Sequence, residues 1–367
     1  MIRFGISLAL LSGICNGLFT APMRIIPRWR WENIWLVFIV TSCIAAPVLA
    51  VQITAPGFWN ILSAAPVRAV SCAVGFGFAW GFGAILFGLS VARLGVSVAN
   101  TLVIGLSSAL GSLVPLALKG RFGLGPQQVL LYGGVLAFVL GVWICGKAAR
   151  LRDAGAPLET ASASTAGYFF AVGAGVMSAI FNMGYTLALP IAAAGTQLGY
   201  SSFASTNCIW LLMLGAGALP NIAYCIALAR KHHSGELFFV SAKGAISARR
   251  HSGKQLEGFG PRVAPVLREF LQRGLWPPWA LSVAMGVLWG GSIFLYGAAT
   301  PMLGDLGPSI GWPLSLAMGL ITSNLMGFLL REWRAAPRRA VHVMALGLSI
   351  LLVAIVLCAF SSKAGET

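Results

Sequence analysis

Charge is what this sequence has least of. Only 9% of its 367 residues are Asp, Glu, Lys or Arg, against 58% hydrophobic. Mean hydropathy is +0.85. A soluble domain covers about a quarter to a third of its surface with charge, so a water-soluble globular fold is excluded. Acids are scarcer still. The nine (Glu32, Asp153, Glu159, Glu236, Glu257, Glu269, Asp305, Glu332 and Glu366) all fall in loops or at the ends of apolar runs. So do His232, His233, His251 and His342. Enzymes acting at a bilayer surface need clustered acids, His or a metal site. No such cluster is visible, so the chain does not read as an enzyme. None of the seven Cys residues forms a C-x-x-C pair. They read as small core residues, and no metal or cofactor is expected. The Gly-rich run "GFGFAWGFG" (Gly75–Gly83) lies inside an apolar segment. Glycines there permit close helix packing rather than phosphate binding.

Long apolar runs are abundant. About 20 residues at 1.5 Å rise cross the hydrocarbon core. Ten runs approach that length: 4–23, 34–53, 69–92, 95–118, 127–145, 167–190, 199–229, 276–299, 308–331 and 341–360. The expected fold class is an all-α polytopic membrane protein with ten transmembrane helices. The first run also has the basic start and apolar core of a signal peptide, but its pattern recurs deep in the chain, which favours a retained helix. The net charge of +16 invites a nucleic-acid reading. Its placement argues instead for topology. Twenty of the 25 basic residues fall in alternate loops, which the positive-inside rule puts in the cytoplasm. Both termini are then periplasmic or external. The basic face meets anionic lipid headgroups, and nucleic acid is not an expected partner.

The two halves of the chain match. "SGICNGLFTAP" (Ser12–Pro22) parallels "SAIFNMGYTLALP" (Ser178–Pro190). "WGFGAILFG" (Trp80–Gly88) parallels "WGGSIFLYG" (Trp289–Gly297), "LGVSV" (Leu94–Val98) resembles "LGPSI" (Leu306–Ile310), and "IWL" occurs at 34–36 and 209–211. Residues 1–150 therefore read as one five-helix repeat and 167–362 as a second, with 151–166 as a cytoplasmic linker. Five is odd, so the two copies insert with opposite orientation, the inverted repeat of secondary transporters. In such folds the substrate sits near the bilayer midplane, between the repeats. One chain then holds the symmetry a dimer would supply, so a functional monomer is expected.

Ser12 with Asn16, and Ser178 with Asn182, share helix faces at i and i+4. Each could be a structural interhelical hydrogen bond; as a symmetric pair they read as substrate groups. Asn100, Ser309, Trp312, Tyr185 and Tyr296 join them, with Trp80 and Trp289 inside spans beside Gly. Trp29, Trp31, Trp35, Trp276, Trp279 and Trp333 lie at helix ends and read as interfacial anchors. Amides and hydroxyls both donate and accept hydrogen bonds, and indole adds an apolar face with one donor. Such a lining suits a small neutral polyhydroxylated solute.

The chain resembles the L-rhamnose–proton symporters, a ten-helix branch of the drug/metabolite transporter superfamily. The resemblance covers nearly the whole length. It rests on "APMRIIPRWRWENIW" (Ala21–Trp35), "WGFGAILFGLSVARLGVSVA" (Trp80–Ala99) and "LLREWRAAPRR" (Leu329–Arg339). It implies import of a neutral sugar across a bacterial inner membrane, coupled to proton entry. A proton symporter needs a titrating group. Asp305, Glu32 and Glu332 are the candidates, with Asp305 preferred because no base neighbours it in sequence. An exporter of metabolites or amino acids, or a sugar facilitator, is the alternative on the same fold. The long cytoplasmic loop 230–275 is basic, and 262–275 carries apolar residues at helical spacing. That predicts a short helix lying on the inner leaflet.

Overall fold

The computed structural model describes residues 1–26, 28–94, 96–153, 165–239, 276–329, 333–334 and 336–364. Among these every regular element is helical. A chain this apolar must satisfy its backbone within itself once in lipid, and helices do so. The long helices are α1 (Ile2–Leu18), α2 (Trp31–Thr54), α3 (Val67–Leu94), α4 (Val96–Leu118), α5 (Pro126–Asp153), α6 (Thr165–Gln197), α7 (Ser202–Lys231), α8 (Trp276–Ala299), α9 (Gly307–Leu329) and α10 (Arg338–Lys363). Nine of the described helices are long and apolar enough to cross a membrane. The exception is α1, apolar but 17 residues long. The sequence run 4–23 reaches past it into a 3₁₀ turn at Pro22–Arg24, where proline cannot continue a helix interior.

Helix α2 is continuous but widens to a π-turn over Val40–Ala45. Pro47 stands two residues after it, and its ring would clash with the carbonyl four residues back, which the wider turn moves aside.

The helices pack in a recurring set of pairs. The most extensive contacts join α5 to α10, α3 to α6 and α7, α1 to α8 and α9, and α4 to α6. Further contacts join α4 to α5, α9 to α10, α4 to α9, and α2 to both α7 and α8. Glycine permits the closest of them. A Cβ on Gly81 would stand 2.4 Å from the Gly217 carbonyl, and one on Gly17 2.5 Å from the Gly319 carbonyl. With no hydrophobic drive between helices in lipid, such close approach is a main source of helix association.

Four expectations fall outside the described residues: the surface helix 262–275, most of the linker 151–166, Glu332, and the side chain of Asn100.

Candidate functional site

The ends of the bundle differ. At one end α1, α3 and α9 finish and α2, α4 and α6 begin, and there a cavity of about 340 Å³ opens. Its polar lining is Asn16, Thr20, Ser178 and Ser323, and its aromatic lining Phe19, Trp35, Phe38, Trp80, Phe87 and Trp289. Among the described residues no charged side chain lines it. Trp80 of α3 and Trp289 of α8 stack with centroids 5.4 Å apart and planes 9° apart. Ser178 accepts a hydrogen bond from Ser107 at 2.8 Å. Trp35 donates from Nε1 to Asn221 Oδ1 at 3.2 Å, and Asn221 donates onward to the Gly81 carbonyl at 2.9 Å. That chain fixes the Trp35 ring across α2, α7 and α3.

Toward the opposite end a packed layer separates this cavity from a smaller one of about 210 Å³, lined by Lys119, Thr196, Thr206, Thr300 and Pro308 among others. Asn182 is fully buried. Its amide donates to the Gly111 carbonyl at 2.7 Å and the Pro308 carbonyl at 3.0 Å, and its oxygen accepts from Tyr296 Oη. Tyr185 bonds Thr300 Oγ1 at 2.5 Å and stacks on Trp210 at 4.5 Å and 5°. Trp312 donates to the Ser107 carbonyl at 3.2 Å.

The structure thus divides the residues singled out in the sequence. Asn16, Ser178, Trp80 and Trp289 share the cavity. Asn182, Tyr185, Tyr296 and Trp312 do not line it; they form the packed half. Ser309 is buried outside the cavity. Ser12 is buried too, spent on the Ser292 carbonyl at 2.7 Å and Ser315 Oγ at 2.9 Å. Trp35, expected as an interfacial anchor, lines the cavity instead. Its repeat in "IWL" was the available signal, because its partner Trp210 lies wholly inside the bundle. Trp29, also expected at the interface, is buried against Phe238 and Trp279.

The acids differ as sharply. Asp305 is exposed and is not isolated: Arg121 reaches its carboxylate at 3.2 Å, and Lys119 donates to its carbonyl. Glu32 is 3% exposed. Its Oε1 meets Arg30 Nε at 2.9 Å, His232 Nδ1 at 3.0 Å and Ser234 Oγ at 2.9 Å. This ties the start of α2 to the end of α7, one helical turn from Trp35. Among the described residues no His, Cys, Asp and Glu cluster could hold a metal ion.

A cavity walled by membrane-crossing helices and closed off inside the bundle by a packed layer of buried side chains is the arrangement of a membrane transporter. Residues 1–246 match the profile of the L-rhamnose-proton symport protein family, and the chain belongs to that family, whose members are transporters and not enzymes. It is 27% identical over 361 residues to an L-rhamnose-proton symporter of Cronobacter sakazakii, covering 96% of each chain. A symporter of the same name from Escherichia coli is 27% identical over 361 residues, and one from Klebsiella pneumoniae 27% over 364, each with 96% of both chains covered. With its long apolar helices and bacterial relatives, the chain is a multi-pass inner-membrane protein.

Proposed function

We propose that this protein imports a small neutral sugar, L-rhamnose, together with a proton, by alternating access between two inverted five-helix repeats spanning 1–150 and 167–362, joined by 151–166. The observation that carries the reading is the uncharged cavity. An anionic substrate needs a basic group there and a cationic one a carboxylate, whereas Asn16, Ser178, Ser323 and the indoles match hydroxyls and the apolar face of a sugar ring. Its volume sits at the small end of the range of about 300–1,000 Å³ for small-molecule sites.

The packing supports the repeat. Advancing each helix by five turns α1–α9 into α6–α4, α1–α8 into α6–α3, α2–α8 into α7–α3 and α4–α5 into α9–α10; all are contacts of this bundle. We count α1 as a tenth span on this ground, and place the family in the drug/metabolite transporter superfamily on the same ten-helix plan. The basic loops support a cytoplasmic cavity end and external termini, which makes this conformation inward-open. The chain works as a monomer, with its basic face on anionic lipid.

For the proton, burial favours Glu32 over Asp305. A carboxylate held among His232, Ser234 and Arg30 beside the cavity can exchange a proton as α2 and α7 move, whereas Asp305 is bathed in solvent.

Uptake of labelled L-rhamnose into proteoliposomes, with and without an inward proton gradient, tests the function. Gradient-driven accumulation is expected. Uptake indifferent to the gradient would make the protein a facilitator, and no uptake would reject the substrate.

A further inference from the structure

We infer that the packed half of the bundle is a second, periplasm-facing half of the sugar site, richer in hydrogen-bonding groups than the open cytoplasmic half. The inference rests on the inverted repeat and transport proposed above and deepens them.

Within three matched motifs, four positions correspond between the repeats. Asn16 matches Asn182, and three residues on Phe19 matches Tyr185. Trp35 matches Trp210 in the shared "IWL", and Phe87 matches Tyr296, each seven residues after its tryptophan. All four first-repeat residues line the open cavity. Their four counterparts are buried together: Tyr296 bonds Asn182, Tyr185 stacks on Trp210, and the Tyr185 and Tyr296 rings lie 5.7 Å apart. One constellation is therefore present twice, once open and once collapsed.

The collapsed copy is incomplete in hydrogen bonds. Trp210 Nε1 and Asn207 Oδ1, one turn apart on α7, are buried with no hydrogen-bond partner among the described residues. A buried donor or acceptor left unpaired is costly, and opening this half would return both to water or to substrate hydroxyls.

The copies also differ in one chemical respect. Where the cytoplasmic half has Phe19 and Phe87, the periplasmic half has Tyr185 and Tyr296. Each phenol adds a donor and an acceptor for a polyol. A sugar is then held more tightly when the site faces outward and less tightly when it faces the cytoplasm. That asymmetry favours capture outside and release inside.

The test compares KM for L-rhamnose in right-side-out and inside-out vesicles. Tyr185→Phe and Tyr296→Phe each raise KM on the outer face about fivefold, the loss of one net hydrogen bond, and leave KM on the inner face within about twofold. Phe19→Tyr lowers KM on the inner face alone. Equal shifts on both faces, or none, overturn the assignment. A second measurement does not depend on the sugar: in full-length Tyr185→Cys, an impermeant maleimide added outside labels position 185, read by peptide mass. A monodisperse protein that stays unlabelled there overturns the periplasmic half-site. Should the unmodified chain carry no L-rhamnose, the substrate assignment alone falls, and the labelling still decides this one.

Discussion

Trp80 and Trp289 lie ring on ring, 5.4 Å between centroids and 9° between planes. They occupy the same position in the matching motifs "WGFGAILFG" and "WGGSIFLYG", one on α3 and one on α8, and meet where the cavity gives way to packed interior. Trp80 also packs against Phe181 at 4.8 Å, and Trp289 against Phe38 at 5.8 Å. The pair is thus the floor of the cavity and a contact between the halves at once.

Replacing either indole by alanine removes that floor. Aromatic pairs contribute about 0.5–1.5 kcal/mol beyond area burial. We expect Trp80→Ala and Trp289→Ala each to lower kcat/KM for sugar uptake at least tenfold, and Trp→Phe to retain most of it. The double alanine variant should lose much less than the product of the two, because residues in contact are not additive. Uptake kinetics on the four proteins check this.

The two asparagines should part company. Asn182 makes three hydrogen bonds in the packed half, whereas Asn16 lines the cavity. At about 0.6 kcal/mol for each intramembrane bond, Asn182→Ala should cost about 2 kcal/mol and lower the thermal midpoint in detergent. Asn16→Ala should leave the midpoint in place and raise the KM for sugar. Equal midpoints for the two variants would contradict the division into an open and a closed half.

Much of this was legible in the sequence, and the reason is physical. Lipid penalises unpaired polar groups, so the span positions follow from apolar run length, and a duplicated Ser/Asn pair stands out against that background. The state of each copy was not legible. The same local pattern serves an open cavity at Asn16 and a saturated hub at Asn182, because the difference lies in which partner helices close over it. Trp35 was misplaced for a related reason. Position near a helix end predicts a lipid-facing ring, but Asn221, far away in sequence, pulls this one inward. Asp305 had no basic neighbour in sequence, and Lys119 and Arg121 reach it only through the approach of α4 to α9.

Glycine contacts set a steric limit. A Cβ on Gly77 would lie 2.3 Å from the Met213 carbonyl, and one on Gly13 2.5 Å from the Ser315 carbonyl. Backbone cannot yield by that much without parting the helices. Gly13→Val and Gly77→Val should therefore reduce folded protein in the membrane severely. Gly75, whose Cβ would meet nothing within 4 Å, should accept alanine with little change. Fluorescence-detected size-exclusion of tagged variants distinguishes the two classes.

The carboxylates offer the sharpest contrast for coupling. Asp305 is exposed, with side-chain exposure of 80% facing an Arg121 exposed by 59%. Ion pairs of that kind are worth less than about 1 kcal/mol. Asp305→Asn should accordingly preserve both stability and gradient-driven accumulation. Glu32 is buried between Arg30, His232 and Ser234, and Glu32→Gln keeps the shape while removing the ionisable group. Accumulation of sugar against its gradient should then be abolished, while exchange of labelled for unlabelled sugar across the membrane, which needs no net proton movement, continues. Glu32→Asp should restore part of the accumulation, since the group again titrates although its reach is shorter. If Glu32→Gln loses exchange as well as accumulation, the residue serves the architecture of α2 and α7 and not the proton. If Asp305→Asn alone uncouples, the proton passes at the outer face.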